Sequence, residues 1–448
     1  MKEYSPDNEN IEEILDNRVE LEDLTEREGE NVAITGYVDN KRKLGDSLKF
    51  FEIQDGSNRT QLTLKEGFFE GVDKIDDVSD HTFVAATGKV VDGQWDEGME
   101  IEVEDIYKLG EEADELPIST GSERSGLNKR LDYRWADLRN EESRLPLEVV
   151  SSFVGNSREF FEEEGLNEIF SPKLMSSASE SGSELFSVDY FGEEAHLAQS
   201  PQFYKQMGVV SGFDGVYEVA PVFRANPSNT SRHDSEFTSL DVEIPYISGV
   251  EDVMAFEEDM INYVFENIDQ ELGGEIEDTF EVEINPPENI PRMDIKEVYE
   301  IVGEENVAEN GDLTTPGEKV LGEHLMNEED EEFVFVKNYP QEARPFYHMQ
   351  KELDDGRETT RSYDLIFKGL EVTTGAQREH RYNKIIDQAQ EDGIHPDQLG
   401  SYTDFFKYGA PPHGGFGLSP TRVVQSMLNL DNVREATYLP RNAQRLEP

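Results

Sequence analysis

Arg224, Arg232 and His233 fall within the eleven residues "FRANPSNTSRH" (223–233), in a chain whose 99 acidic residues outnumber its 40 basic ones. Fixed positive charge kept around a turn-forming P-S-N points to an anion, and guanidinium forks match phosphate oxygens. Three further stretches carry groups suited to chemistry. In "SPQFYKQ", Gln202 and Lys205 follow a proline-marked turn. In "GLEVTTGAQREHRY", Glu371, Thr374 and Arg378 follow an apolar strand, and Gly375 permits close backbone approach. In "PPHGGFGLSPTRVV", a glycine-rich turn delivers Arg422 at the start of a helix. Singly, each has a plainer role as a surface ion pair, a solvated carboxylate or a tight turn. Walker A, GxGxxG and HExxH patterns are absent. The joint, ordered occurrence of the four stretches is what favours a site.

Two kinds of segment must position these groups. Residues 31–108 alternate apolar and polar in the strand manner, from "NVAITGYV" to "MEIEVEDIYKL", with turn signals such as "QDGSN" between. Five short strands there predict a small barrel, an OB-fold first, over residues 15–110. The acidic, proline-containing "GEEADELPIST" opens a linker at 111–130. Beyond it, a second domain at 131–448 mixes helices and strands. Val253, Phe256, Met260, Val264 and Ile268 recur at steps of three and four and predict an amphipathic helix. The irregular order indicates an α+β fold around a large, mainly antiparallel sheet, with a mixed insertion at about 282–345.

Composition narrows the setting. The absence of cysteine excludes disulfides and thiolate metal sites. No apolar run approaches the roughly 20 residues of a membrane span, and "MKEYSPDNEN" lacks a signal-peptide core, so a soluble, cytoplasmic protein is expected. The formal net charge of -59 is spread along the whole chain. Such self-repulsion destabilises a compact state in dilute salt, whereas a Debye length of ~3 Å at molar salt removes most of it. The expectation is adaptation to a salt-rich cytoplasm. Nucleic acid is not excluded as a partner, provided basic groups are kept locally.

Together the stretches resemble the class II aminoacyl-tRNA synthetases, specifically the archaeal-type aspartyl-tRNA synthetases. "RLDYRWADLR" is similar to the opening of that family's catalytic domain, and "EGLNEIFSPKLM", with Pro172, to motif 1. "VYEVAPVFRANPSNTSRHDSEFTSLDVEI" resembles motif 2, "GGFGLSPTRVV" motif 3, and "NVREATYLPRNAQRLEP" the usual C-terminus. The resemblance implies an OB-type anticodon-binding domain followed by a class II catalytic domain. It also implies a homodimer formed through motif 1, and the ligation of aspartate to tRNA in two steps through aspartyl-adenylate. By motif match, Arg224 and Arg422 would be catalytic. Asn226, Arg232, His233, Asp234, Glu371 and Ser419 would line the ATP site with them. Glu371 and Thr374 would hold Mg²⁺. Glu180, Gln202, Lys205, Arg224, Thr374 and Arg378 would surround aspartate, with Lys205 and Arg378 on its side-chain carboxylate. In the barrel, Phe50 would stack an anticodon base and Gln61 would read a base edge.

The chain departs from the family pattern twice. Asn226 stands where motif 2 carries glutamate, and Ser419, Pro420 and Thr421 replace a G-L-E-like stretch before the motif 3 arginine. Exchanging a charge-assisted hydrogen bond for a neutral one costs about 1–2 kcal/mol, roughly a fivefold to thirtyfold loss in rate. Two readings are therefore carried forward. One is an active ligase for tRNA(Asp), with tRNA(Asn) open as a second acceptor. The other is a paralogue that binds tRNA or regulates, or that turns aspartyl-adenylate into asparagine.

Overall fold

A computed structural model describes residues 2–3, 9–44, 48–56, 58–65, 78–79, 81–93, 95, 98–110, 116–119, 124–176, 185–227, 230–287, 289–395, 399 and 402–448. The chain forms two compact units, Met1–Glu141 and Glu142–Pro448.

The first unit contains β1 (Lys2–Glu3), α1 (Glu9–Asp16), β2 (Asn31–Lys43), β3 (Leu48–Asp55), β4 (Asn58–Lys65), β5 (Phe83–Val91), β6 (Glu100–Lys108), α2 (Leu127–Asp132) and α3 (Arg134–Asp137). The strands run in the order β1-β6-β4-β3-β2-β5, and an additional β5–β6 pairing closes five of them into a barrel. This is the OB-fold expected from the alternation. Val38, Phe51, Ile53, Leu62, Val84 and Ile101 fill its interior. Closure leaves these strands without a free edge.

The second unit begins with α4 (Glu141–Glu163), β7 (Asn167–Glu168), β8 (Leu174–Met175), β9 (Ser187–Tyr190), β10 (Glu193–Leu197), α5 (Gln202–Val210), β11 (Val216–Phe223) and β12 (Glu236–Pro245). Next come α6 (Val250–Phe280), β13 (Arg292–Asp294), α7 (Ile295–Val302), α8 (Thr315–His324), β14 (Phe333–Lys337), β15 (Gln350–Glu352) and β16 (Glu358–Thr360). The unit ends with β17 (Ser362–Phe367), β18 (Leu370–Gln377), α9 (Tyr382–Glu391), α10 (Tyr402–Phe406), β19 (His413–Leu418) and α11 (Pro420–Met427).

Eight of these strands form one sheet in the order β13-β14-β17-β18-β19-β12-β11-β7. All its pairings are antiparallel except those at the two edges, β13–β14 and β11–β7. Helices α4, α6 and α11 cover one face. Val149, Phe153, Val253, Met260, Val264, Ile268 and Val424 there pack on Leu240, Val242, Leu365 and Phe416. The apolar spacing read at 253–268 is thus the core face of α6. Residues 292–337 (β13, α7, α8 and β14) carry a satellite core of Ile295, Val298, Leu321 and Val336 and extend the sheet at its edge.

The "GGFG" stretch is a correction. It is not a turn but strand β19, held between β12 and β18. A Cβ on Gly415 would lie 1.9 Å from the Val242 carbonyl oxygen, so the close approach of these strands requires glycine.

Candidate active site

The opposite face of the sheet forms the floor of a cleft of about 220 Å³, lined by Gln202, Lys205, Arg224, Glu371, Thr374, Arg378, Ser419 and Arg422 among others. A second cavity shares Arg224, Ser419 and Arg422 and adds Asn226, Arg232, His233 and Asp234. All but one of the residues expected at the active site therefore lie around two adjoining cavities. The exception, Glu180, lies outside the described residues.

Local structure explains each placement. Arg224 follows the last residue of β11, and its backbone N–H donates to the Ser235 carbonyl, closing the base of the β11–β12 hairpin. Arg422 sits in the first turn of α11, where Pro420, lacking an N–H, costs the helix nothing. Glu371 and Thr374 are three residues apart, so strict alternation would place them on opposite faces. In β18, however, the register jumps from Leu365↔Thr373 to Ile366↔Glu371, leaving Val372 as an extra residue. That bulge resets the alternation. Both side chains reach the cleft, with Thr374 Oγ1 3.5 Å from Glu371 Oε1.

The cations are held by carboxylates. Lys205 is 1% exposed; its ammonium donates to Asp241 Oδ1 at 2.8 Å and to the Phe416 carbonyl at 2.9 Å. Arg378, also buried, donates from Nε to Glu243 at 3.1 Å, from Nη2 to the Gly415 carbonyl at 2.8 Å and from Nη1 to His348 Nε2 at 3.0 Å. Arg232 pairs with Glu318 at 2.6 Å, and Arg422 lies 3.6 Å from Glu371. Asp234 faces Arg434 at 3.5 Å and Thr437, so its carboxylate ties the hairpin to the C-terminal segment.

Burial would raise the Glu371 carboxyl, but the fields of Arg422, Arg344, Arg232 and Arg224 outweigh it and hold the group below its usual range. Asp364 behaves oppositely: burial, together with Glu371 and Asp312, pushes it up to about 7 against the pull of Arg344. Burial and the charges of Arg422 and Arg232 lower His233 to about 4, leaving it neutral at pH 7.

Several site residues escaped the sequence reading: Phe237, Ser239, Asp241 and Glu243 on β12, Asp364 on β17, Glu318 on α8, and His348. The signal for the first four was present. In "EFTSLDVEI" they occupy alternate positions, opposite to Leu240 and Val242, which enter the core. Phe237 lines both cavities, and the Arg224 guanidinium lies 5.4 Å from its ring centre. Asp364 pairs directly across from Thr374, a relation that only sheet register reveals.

In the barrel unit, Phe51 points into the core and Phe50 stays half-buried on the outer face. Gln61 is almost fully buried, and its Oε1 accepts from Arg42 Nη2 at 2.6 Å. The same guanidinium lies 5.9 Å from the Phe50 ring centre, so Arg42 joins the two expected base-contacting residues.

Comparison with known proteins places this geometry. Residues 126–443 match the family model "tRNA synthetases class II (D, K and N)", and residues 32–109 match "OB-fold nucleic acid binding domain". The chain is 38% identical to the aspartate–tRNA(Asp/Asn) ligase of Aeropyrum pernix, covering 94% of this chain and 96% of that protein. It is equally identical to the aspartate–tRNA(Asp) ligase of Thermococcus kodakarensis, covering 94% and 97%. Among solved structures, asparaginyl-tRNA synthetase from Pyrococcus horikoshii with asparaginyl-adenylate superposes with a TM-score of 0.88 at 29% identity, covering 96% of this chain and 99% of that one. The protein belongs to the class II aspartyl-tRNA synthetase family.

Proposed function

We propose that the protein is an aspartate–tRNA ligase. It activates L-aspartate with ATP to aspartyl-adenylate and then transfers the aspartyl group to the 3′ end of tRNA(Asp). The observation that carries this reading is the convergence of two buried cations, Lys205 and Arg378, on the cleft that also holds Arg224 and Arg422. One pair suits a side-chain carboxylate, the other a triphosphate.

In the first step an oxygen of the aspartate α-carboxylate attacks the α-phosphorus, and the bond to pyrophosphate breaks. Arg224 neutralises charge that develops on the α-phosphate, while Arg232, His233 and Arg422 hold the nucleotide. Positioning and charge neutralisation carry such a reaction. The adenine ring has Phe237 available for stacking. Lys205 and Arg378 orient the side-chain carboxylate. Asparagine would turn an amide N–H toward donors of Lys205 or Arg378, a polar mismatch capable of discrimination of ~10⁴.

Magnesium fits the acidic corner of the cleft. Asp364 Oδ1 is a buried carboxylate oxygen without a hydrogen-bond partner, beside Glu371 and across the strand from Thr374. Glu371 and Thr374, which line the cleft, offer the oxygen donors that a hard cation takes. A magnesium ion held there would supply positive charge to offset that of the phosphates.

The functional unit is a homodimer in a salt-rich cytoplasm. In support of the dimer, Leu174, Leu197 and Phe186 form an apolar row across the small β8-β10-β9 sheet after motif 1, and Phe170 is 85% exposed. No described helix is long and apolar enough to cross a membrane. On the barrel, Phe50 and Gln61 meet the anticodon, with Arg42 beside them.

The test is aspartate-dependent ATP–pyrophosphate exchange in molar KCl with Mg²⁺, asparagine serving as the control, followed by charging of tRNA(Asp) and tRNA(Asn) transcripts. Exchange with aspartate alone and charging of tRNA(Asp) are expected. Folded protein that binds tRNA without exchange would instead identify the binding-only paralogue.

A further inference from the structure

Behind the amino-acid end of the cleft lies a chain of buried hydrogen bonds that does not touch the cleft at its far end. His413 is fully buried and opens β19; its Nδ1 lies 2.8 Å from the Pro411 carbonyl oxygen. A carbonyl oxygen can only accept, so Nδ1 carries the ring proton. Burial disfavours the imidazolium, which leaves Nε2 as an acceptor. Its partner, 2.9 Å away, is Gln206 Nε2.

That contact determines which way the Gln206 amide faces. Its nitrogen must point to His413, and its Oε1 must point away, where it accepts from Tyr402 Oη at 2.9 Å and from Gln202 Nε2 at 3.0 Å. Gln202 and Gln206 are one helical turn apart on α5, so their side chains lie side by side. With its nitrogen turned to Gln206, the amide of Gln202 has Oε1 as its acceptor for the cleft, which Gln202 lines. No hydrogen bond to that oxygen occurs among the described residues. Reversing the His413 tautomer would reverse both amides and turn an N–H toward the ligand instead.

We propose that His413 is a positioning residue: through Gln206 it holds the Gln202 carbonyl oxygen toward the cleft, where it accepts a hydrogen bond from the α-ammonium group of aspartate. The inference rests on the aspartate–tRNA ligase reading. His413 acts on the amine end of the substrate alone, since Lys205 and Arg378 hold the carboxylate end through separate partners.

The test compares His413→Leu, His413→Gln and Tyr402→Phe with the unaltered protein. The readouts are the KM for aspartate and for ATP in pyrophosphate exchange, and inhibition by succinate, which is aspartate without its amino group. His413→Leu should raise the aspartate KM about tenfold, the effect of misplacing one hydrogen bond to a charged group, while succinate inhibition and the ATP KM move by less than about twofold. His413→Gln, which can again present an oxygen to Gln206 Nε2, should recover most of the loss. Tyr402→Phe, a gentler change to the same amide, should act in the same direction more weakly. Equal weakening of aspartate and succinate would mean that His413 merely shapes the pocket, and no change in aspartate KM would remove its role altogether; either overturns the relay. If the unaltered protein shows no aspartate-dependent exchange at all, the ligase reading fails and takes the ammonium assignment with it.

Discussion

The two cations proposed to meet the aspartate side chain each have an anionic partner, Asp241 for Lys205 and Glu243 for Arg378. A lone buried charge is costly, so a pocket that must stay folded without substrate needs such partners. They also hold the remaining N–H groups in place, so less ordering is required when aspartate binds. Asn226 stands where the resemblance to motif 2 implies a glutamate. It lines the second cavity with Arg224, Arg232 and Arg422, where one added carboxylate has three cationic neighbours. Asn226→Glu is expected to raise kcat/KM for ATP in the exchange reaction about tenfold, the worth of a charge-assisted over a neutral hydrogen bond. An unchanged value, from steady-state exchange at varied ATP, would mean that neighbouring contacts already supply what a carboxylate would add there.

At the scale of elements, the sheet works through its two faces. Its cleft face depends on the β18 bulge. Its packed face hides Glu257 of α6, fully buried, whose Oε2 accepts from Tyr363 Oη at 2.5 Å. Burial is the main cause that pushes this carboxyl from its ordinary 4.5 up to about 7. In the unfolded chain the group ionises near 4.5, while in the fold it keeps its proton until about 7. The folded state thus binds more protons between those values, and stability falls as pH rises through that window, by roughly 3 kcal/mol in all. Glu257→Gln keeps the shape and removes the proton. Thermal unfolding between pH 5 and pH 8 should therefore show the unaltered protein losing several degrees of Tm relative to this variant. Parallel pH profiles would exclude a neutral Glu257.

For the whole molecule, the charge of -59 is the governing quantity. Salt bridges such as Arg344–Asp364 and Arg357–Asp294 each pair one base with one acid, and 40 bases cannot offset 99 acids. Mutual repulsion is long-ranged in dilute buffer and collapses to ~3 Å at 1 M salt. Tm is expected to rise by about 10 °C or more between 0.1 and 2 M KCl, several kcal/mol for a chain of this size. A flat Tm over that range would count against salt adaptation.

The sequence by itself determined the elements and the list of reactive groups. Alternation over 31–108 requires strands because side chains point to opposite faces in turn, and the spacing of Val253, Met260, Val264 and Ile268 requires a helix with one buried stripe. Arg224, Lys205, Glu371, Arg378 and Arg422 could be picked out because four stretches carry them together, in the order that the resemblance to the class II motifs implies. Only the tertiary structure decided how those groups are partnered. Asp241, Glu243 and Asp364 lie on strands far from the cations in sequence, and their roles depend on strand register across β12, β17, β18 and β19. The reading of "GGFG" as a turn failed for the same reason. Glycine serves there to let three strands close up, a demand that comes from neighbours the local sequence does not contain.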